Sequence, residues 1–78
     1  MRPRQKTIKA VIRPGEDSGY VAECLELAVV TQGLTLDEVT QNLREAVALY
    51  LQDENLEELG LAKDPSLLIT MEVEPSHA

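Results

Sequence analysis

The sequence predicts an α+β fold: a two-layer sandwich of order β-β-β-α-β, with one long helix lying on one face of a four-stranded sheet. Three observations lead there. Short segments rich in β-branched residues alternate apolar and polar positions before residue 34 and again after residue 66. A single long stretch between them has helical periodicity and a capping signature at its start. The chain has only 78 residues, which is one domain spanning 1–78.

The first strand is Thr7 to Arg13, with Ile8, Ala10 and Ile12 on the face that is buried and Lys9, Val11 and Arg13 on the other. Residues 14–19 (PGEDSG) are nearly all turn formers and end it. Tyr20 to Cys24 resumes as the second strand of a hairpin, and Leu27 to Thr31 reads as a short third strand. Gly33 marks the exit, at a positive φ or a tight approach.

In the helix, Thr35 and Glu38 form a capping box, the Thr35 hydroxyl accepting from the Glu38 amide and Glu38 reaching back to the Thr35 amide. Leu36, Val39, Leu43, Ala46, Val47, Tyr50 and Leu51 then fall in one stripe, and Leu49 lies off it. The helix should run to Asp53, about 19 residues and roughly 28 Å. Residues 55–60 suggest one more helical turn closed by Gly60, with Leu56, Leu59 and Leu61 folding back onto the domain. Asp64-Pro65 reads as a breaker, and Leu67 to Glu74 as the last strand, ended by Pro75.

Three antiparallel strands followed by a crossing helix bring the fourth strand in parallel to the first. Placing it beside the first strand gives the order 3-2-1-4 and makes the apolar first strand central. One sheet face is then left without a helix. Val11, Val21 and Leu68 fall there among Lys9, Glu23 and Glu72, a half-apolar surface suited to a dimer. A small aliphatic core without Trp or Phe points the same way, to a homodimer or higher homo-oligomer.

Charge and composition exclude several functions. Five of the seven cations (Arg2, Arg4, Lys6, Lys9, Arg13) lie in the first thirteen residues. The remainder holds fourteen acids against Arg44 and Lys63. A body this acidic repels nucleic acid and attracts a basic partner. The absence of Phe and Trp removes an aromatic base-stacking platform. The lone Cys24 excludes a disulfide framework and fits a reducing, cytoplasmic compartment. No apolar run approaches the length of a membrane span, and the N-terminus has no signal-peptide pattern.

No catalytic, cofactor or metal site is expected. The only histidine, His77, stands at the C-terminus, and no histidine is placed to activate Cys24. The strand order resembles a truncated ribonuclease H core, whose two-metal chemistry needs acids on the first strand, the helix and the fourth strand. Here the first strand has none, and Glu45 and Glu72 lack a third partner. The expectation is a binding module on an enzyme-related fold, not an enzyme.

Residues 16–27 (EDSGYVAECLEL), 31–39 (TQGLTLDEV) and 42–51 (NLREAVALYL) resemble the N-terminal domain of HicB-family antitoxins over about residues 7 to 74. The GYVAE and TQGxTLxE blocks carry the likeness. Where the family often has a proline after the second strand and a Pro-Gly before the third, this chain has Leu25 and Ala28-Val29. The resemblance implies a type II toxin–antitoxin system. Its partner would be a small basic, HicA-like ribonuclease toxin that cleaves mRNA and is neutralised by binding. Many family members add a C-terminal DNA-binding domain; none is recognisable here, so direct DNA binding is not expected. The acids and aromatic nearest the hairpin and second strand are the candidate partner-binding residues: Glu16, Asp17, Tyr20, Glu23 and Glu26. The alternative is a stand-alone oligomerising domain with a ligand-binding or scaffold role and no toxin partner.

Overall fold

The computed structural model describes residues 4–73 and 75. The elements follow the expected order: β1 (Gln5–Pro14), β2 (Tyr20–Cys24), β3 (Val30–Gly33), α1 (Leu36–Gln52) and β4 (Leu61–Met71). They form one four-stranded sheet of order β3-β2-β1-β4. β1 is antiparallel to β2, β2 is antiparallel to β3, and β1 is parallel to β4.

Side-chain alternation along β1 divides the two faces. Ile8, Ala10 and Ile12 are buried, while Val11 and Arg13 are half-buried on the opposite side. Register carries that division across the sheet. Ala10 lies opposite Cys24 on β2 and Ile69 on β4, and Ile12 lies opposite Ala22 and Met71. Opposed residues share a face. The floor under the helix therefore contains two alanines, Ala10 and Ala22, both buried. Their small side chains leave room for Val39, Leu43 and Val47, the buried stripe of α1. The helix lies nearest β3 and β2, and Leu67 and Ile69 of β4 are half-buried against the rim of the same core.

The helix starts where the capping signature places it. Thr35 Oγ1 accepts from the Glu38 amide at 3.0 Å, which satisfies one orphan donor of the first turn. The reciprocal bond differs by one residue from the expected box. Glu38 Oε1 accepts from the Leu34 amide at 3.0 Å, and not from Thr35. At the other end the helix stops at Gln52, with Asp53 as its C-cap. Residues 55–60 do form a turn. Asn55 Oδ1 caps the Glu57 and Glu58 amides at 3.0 and 3.3 Å. Gly60 donates to the Glu57 carbonyl and Leu61 to the Leu56 carbonyl, the two bonds of a Schellman closure. Leu56 and Leu61 fold back as expected, whereas Leu59 is exposed.

Two strands correct the sequence reading at their boundaries. The third strand begins at Val30, three residues beyond the expected Leu27. Leu27 and Val29 do point into the core, so their alternation mimics a strand. Their backbone instead makes a compact turn, with Val29 N–H donating to Leu27 C=O at 2.8 Å and Cys24 N–H to Val29 C=O at 3.0 Å. The fourth strand begins at Leu61, before Asp64-Pro65, and ends at Met71. Gln5 pairs with Leu61 and Thr7 with Ser66, so the Asp64-Pro65 breaker expected to precede the strand is a bulge within it. Asp64 takes φ +52°, a left-handed conformation that Asp tolerates better than most residues. Glu74 and His77, with Arg2, lie outside the described residues.

Candidate functional site

Two glycines lock the GYVAE and TQG segments together. Gly19, at φ +71°, lies so close to β3 that a Cβ there would stand 2.5 Å from the Gly33 carbonyl oxygen. Gly33 in turn lies under the first turn of α1, where a Cβ would stand 2.5 Å from the Val39 nitrogen. Gly33 has no positive φ, so the tight approach alone explains it. Tyr20 pairs with Gly33 and Val21 with Gln32, which brings the GYVAE block beside the TQG block.

At this end of the sheet a concavity of about 700 Å³ opens between the β1–β2 turn, β3 and the helix start. Glu16, Asp17, Tyr20, Gln32, Glu38 and Arg13 line it, with Leu34 exposed at its edge. Glu16 and Asp17 are exposed, and among the described residues neither side chain takes part in a hydrogen bond or ion pair within the chain. Tyr20 is half-buried and packs against the core. Glu38 is occupied by the Leu34 amide, and Arg13 is the one cation of the lining.

The five candidate residues thus divide. Glu16, Asp17 and Tyr20 share the concavity. Glu23 lies on the helix-free face, where it meets Arg13 at 3.4 Å with both side chains exposed. Such a pair contributes about 0–1 kcal/mol. Glu26 stands apart and completes the sheet. β2 leaves the ladder after Cys24, and Glu26 Oε1 accepts from the Lys9 amide at 2.9 Å in place of a strand carbonyl, while Oε2 accepts from Gln5 Nε2. Arg13, Gln32 and Glu38 were not among the expected residues. Their signal was the β2–β3 register, which a third strand starting at Leu27 obscures.

Cys24 is buried in the core. Burial, and secondarily the Glu26 carboxylate, pushes its thiol above the usual range. A thiol held protonated is a poor nucleophile. Native protein at pH 8 is expected to react with a thiol-specific disulfide reagent only as fast as it unfolds, and denaturant should release full reactivity at once. Rapid labelling of the native chain would contradict this placement. The linkage sign is the same: folded protein keeps the thiol proton longer than unfolded chain, so stability falls as pH rises through the unfolded thiol pKa.

Among the described residues no three His, Cys, Asp or Glu side chains converge as metal ligands. Glu45 lies on the exposed side of α1, bonded to Gln41. No helix among them is long and apolar enough to cross a membrane. The chain matches no protein-family model, no curated protein and no solved structure.

Proposed function

We propose that this chain is a non-catalytic binding module of the HicB antitoxin type, which acts in the cytoplasm by covering the basic cleft of a small ribonuclease. One observation supports the reading above the others. The two sequence blocks that carry the family likeness meet at a single concavity, and the exposed carboxylates of Glu16 and Asp17 stand at its lip. A carboxylate lip suits a cleft built to hold phosphate, because the same cations that attract RNA attract it. Tyr20 supplies an apolar ring with a polar tip beside those acids. Glu23 and Glu26 have a smaller part in this reading, since one pairs with Arg13 and the other holds the Lys9 amide.

The test is RNA cleavage by a small basic HicA-like ribonuclease from the same cell, titrated with this chain. Stoichiometric inhibition is expected, with no cleavage by the chain itself in Mg²⁺ or Mn²⁺. The double variant Glu16→Gln/Asp17→Asn should bind about tenfold more weakly at low salt, mainly through slower association, and the difference should shrink as salt screens the rim charges. Undiminished cleavage at equimolar chain would overturn the proposal.

A further inference from the structure

The two edges of the sheet are unequal. β3 is one edge, four residues long. The Cys24–Val29 bond turns the odd-numbered residues of β3 toward β2, so Val30 and Gln32 present their main chain outward. The helix takes up one acceptor of that short edge: Asn42 Nδ2 donates to the Gln32 carbonyl at 2.8 Å.

β4 is the other edge, and among the described residues no main chain pairs with its outer side. Glu72 N–H donates to Ile12 C=O at 2.8 Å, which turns the even-numbered residues of β4 toward β1. Leu67, Ile69 and Met71 therefore direct both N–H and C=O away from the sheet. Pro65, which has no N–H, and the bulge at Asp64 guard only the beginning of the strand. From Pro65 to Met71 there is no charged residue, in a chain of net charge −7. The side chains of Leu67, Ile69 and Met71 lie on the helix side of the sheet, where Leu67 and Ile69 are half-buried against the rim of the core and Met71 is exposed. Met71 is 45% exposed, and Leu68 on the opposite face is 52% exposed.

We propose that β4 pairs with β4 of a second copy of this chain, antiparallel about a two-fold axis at Ile69, to make one continuous eight-stranded sheet. The lack of charge on this strand selects the occupant, and its outward main-chain groups select the register. Acidic chains repel one another, and Pro65–Met71 is the uncharged strand where two copies meet without opposing acids. Centred on Ile69, Leu67 faces the other copy's Met71, and Glu72 faces Ser66. A shift of the axis to Leu68 would set Met71 against Pro65, which has no N–H to give, whereas an axis at Ile69 pairs the three outward residues Leu67, Ile69 and Met71 with one another. An axis perpendicular to the sheet puts both helices on the same side. Leu67, Ile69 and Met71 of each copy then join into one apolar floor between the helices. Pairing consumes both open edges, so the assembly closes at two copies and leaves only the edges guarded by Asn42. This inference is independent of the ribonuclease reading.

Sedimentation of the full chain across a concentration series, read together with residue-resolved amide exchange, tests it. The expected result is a dimer whose Leu67, Ile69 and Met71 amides exchange at least tenfold more slowly as dimer forms. The Leu68 and Thr70 amides, already bonded to β1, should change far less. Met71→Pro removes one outward donor without touching the β1 ladder and should shift the chain to monomer with an unchanged circular dichroism spectrum. A monomer at every concentration would overturn the proposal. So would a dimer whose Ile69 and Met71 amides exchange freely, because the contact would then be the helix-free face or another surface. If the proline variant does not fold, the wild-type exchange pattern decides alone.

Discussion

Gly33→Ala is expected to cost about 3 kcal/mol or more, at the upper end of the usual overpacking range. The added methyl would stand 2.5 Å from the Val39 nitrogen, 2.8 Å from its Cα and 3.0 Å from the Glu38 carbonyl carbon. These are backbone atoms of the first helical turn, and no rotamer change relieves them. That turn is held by the Thr35 cap and by the Glu38–Leu34 bond, so the helix must shift as a body. Val39 and Leu43, both fully buried, would move with it. A domain of this length has about 4–12 kcal/mol to lose. Gly60→Ala is the control. It carries a positive φ, +75°, which Gly33 does not, and its Cβ would meet nothing within 4 Å. Its cost is conformational alone, about 1–2 kcal/mol. Urea titration of the two variants separates the effects. Equal midpoints would mean that β3 and α1 are not in the contact described.

Leu43→Ala is expected to cost about 3–5 kcal/mol, within the range for buried leucines. Leu43 is 0% exposed at the middle of the α1 stripe, over a sheet floor that includes Ala10 and Ala22. Alanines have no side chain to swing into the space a lost leucine leaves. The core has no Phe or Trp to repack across it. The cavity should therefore persist, and persistence is what raises the penalty. Leu49, one and two-thirds turns further along the same helix, is 69% exposed. Leu49→Ala should change stability by about 0.5 kcal/mol or less. Denaturation of both variants under one condition tests the rotation of the helix about its axis. A large loss at Leu49 with little at Leu43 would place the wrong face against the sheet.

Local rules explain most of what was legible beforehand. The alternation of Ile8, Ala10 and Ile12, the Thr35 cap and the stripe through Val39, Leu43 and Val47 each depend on neighbours a few residues away. The strand order followed from chain direction and from the need to bury β1 on its apolar face. The errors came where a distant partner decides. Leu27 and Val29 alternate like a strand, yet the bonds among Cys24, Leu27 and Val29 fold them into a turn. Asp64-Pro65 reads as a break, yet pairing on both sides of it, Leu61 to Gln5 and Ser66 to Thr7, makes it a bulge.

The candidate site divides in the same way. Glu16, Asp17 and Tyr20 were accessible to sequence reasoning because turn residues and an adjacent aromatic announce themselves. Their partners Arg13, Gln32 and Glu38 come from three other elements and join them only through register and the Gly19–Gly33 approach. Glu26 looked like one more surface acid, but the end of the β2 ladder makes it the acceptor for the Lys9 amide. Neighbouring residues specify the elements, their order and the buried face of each, because side-chain period and capping are local properties. Contacts between distant segments decide where β3 and β4 begin, which acids remain free, and that α1 bonds to one sheet edge while, among the described residues, the other has no partner. Each of those depends on which backbone groups, far apart in the chain, find hydrogen-bond partners in space.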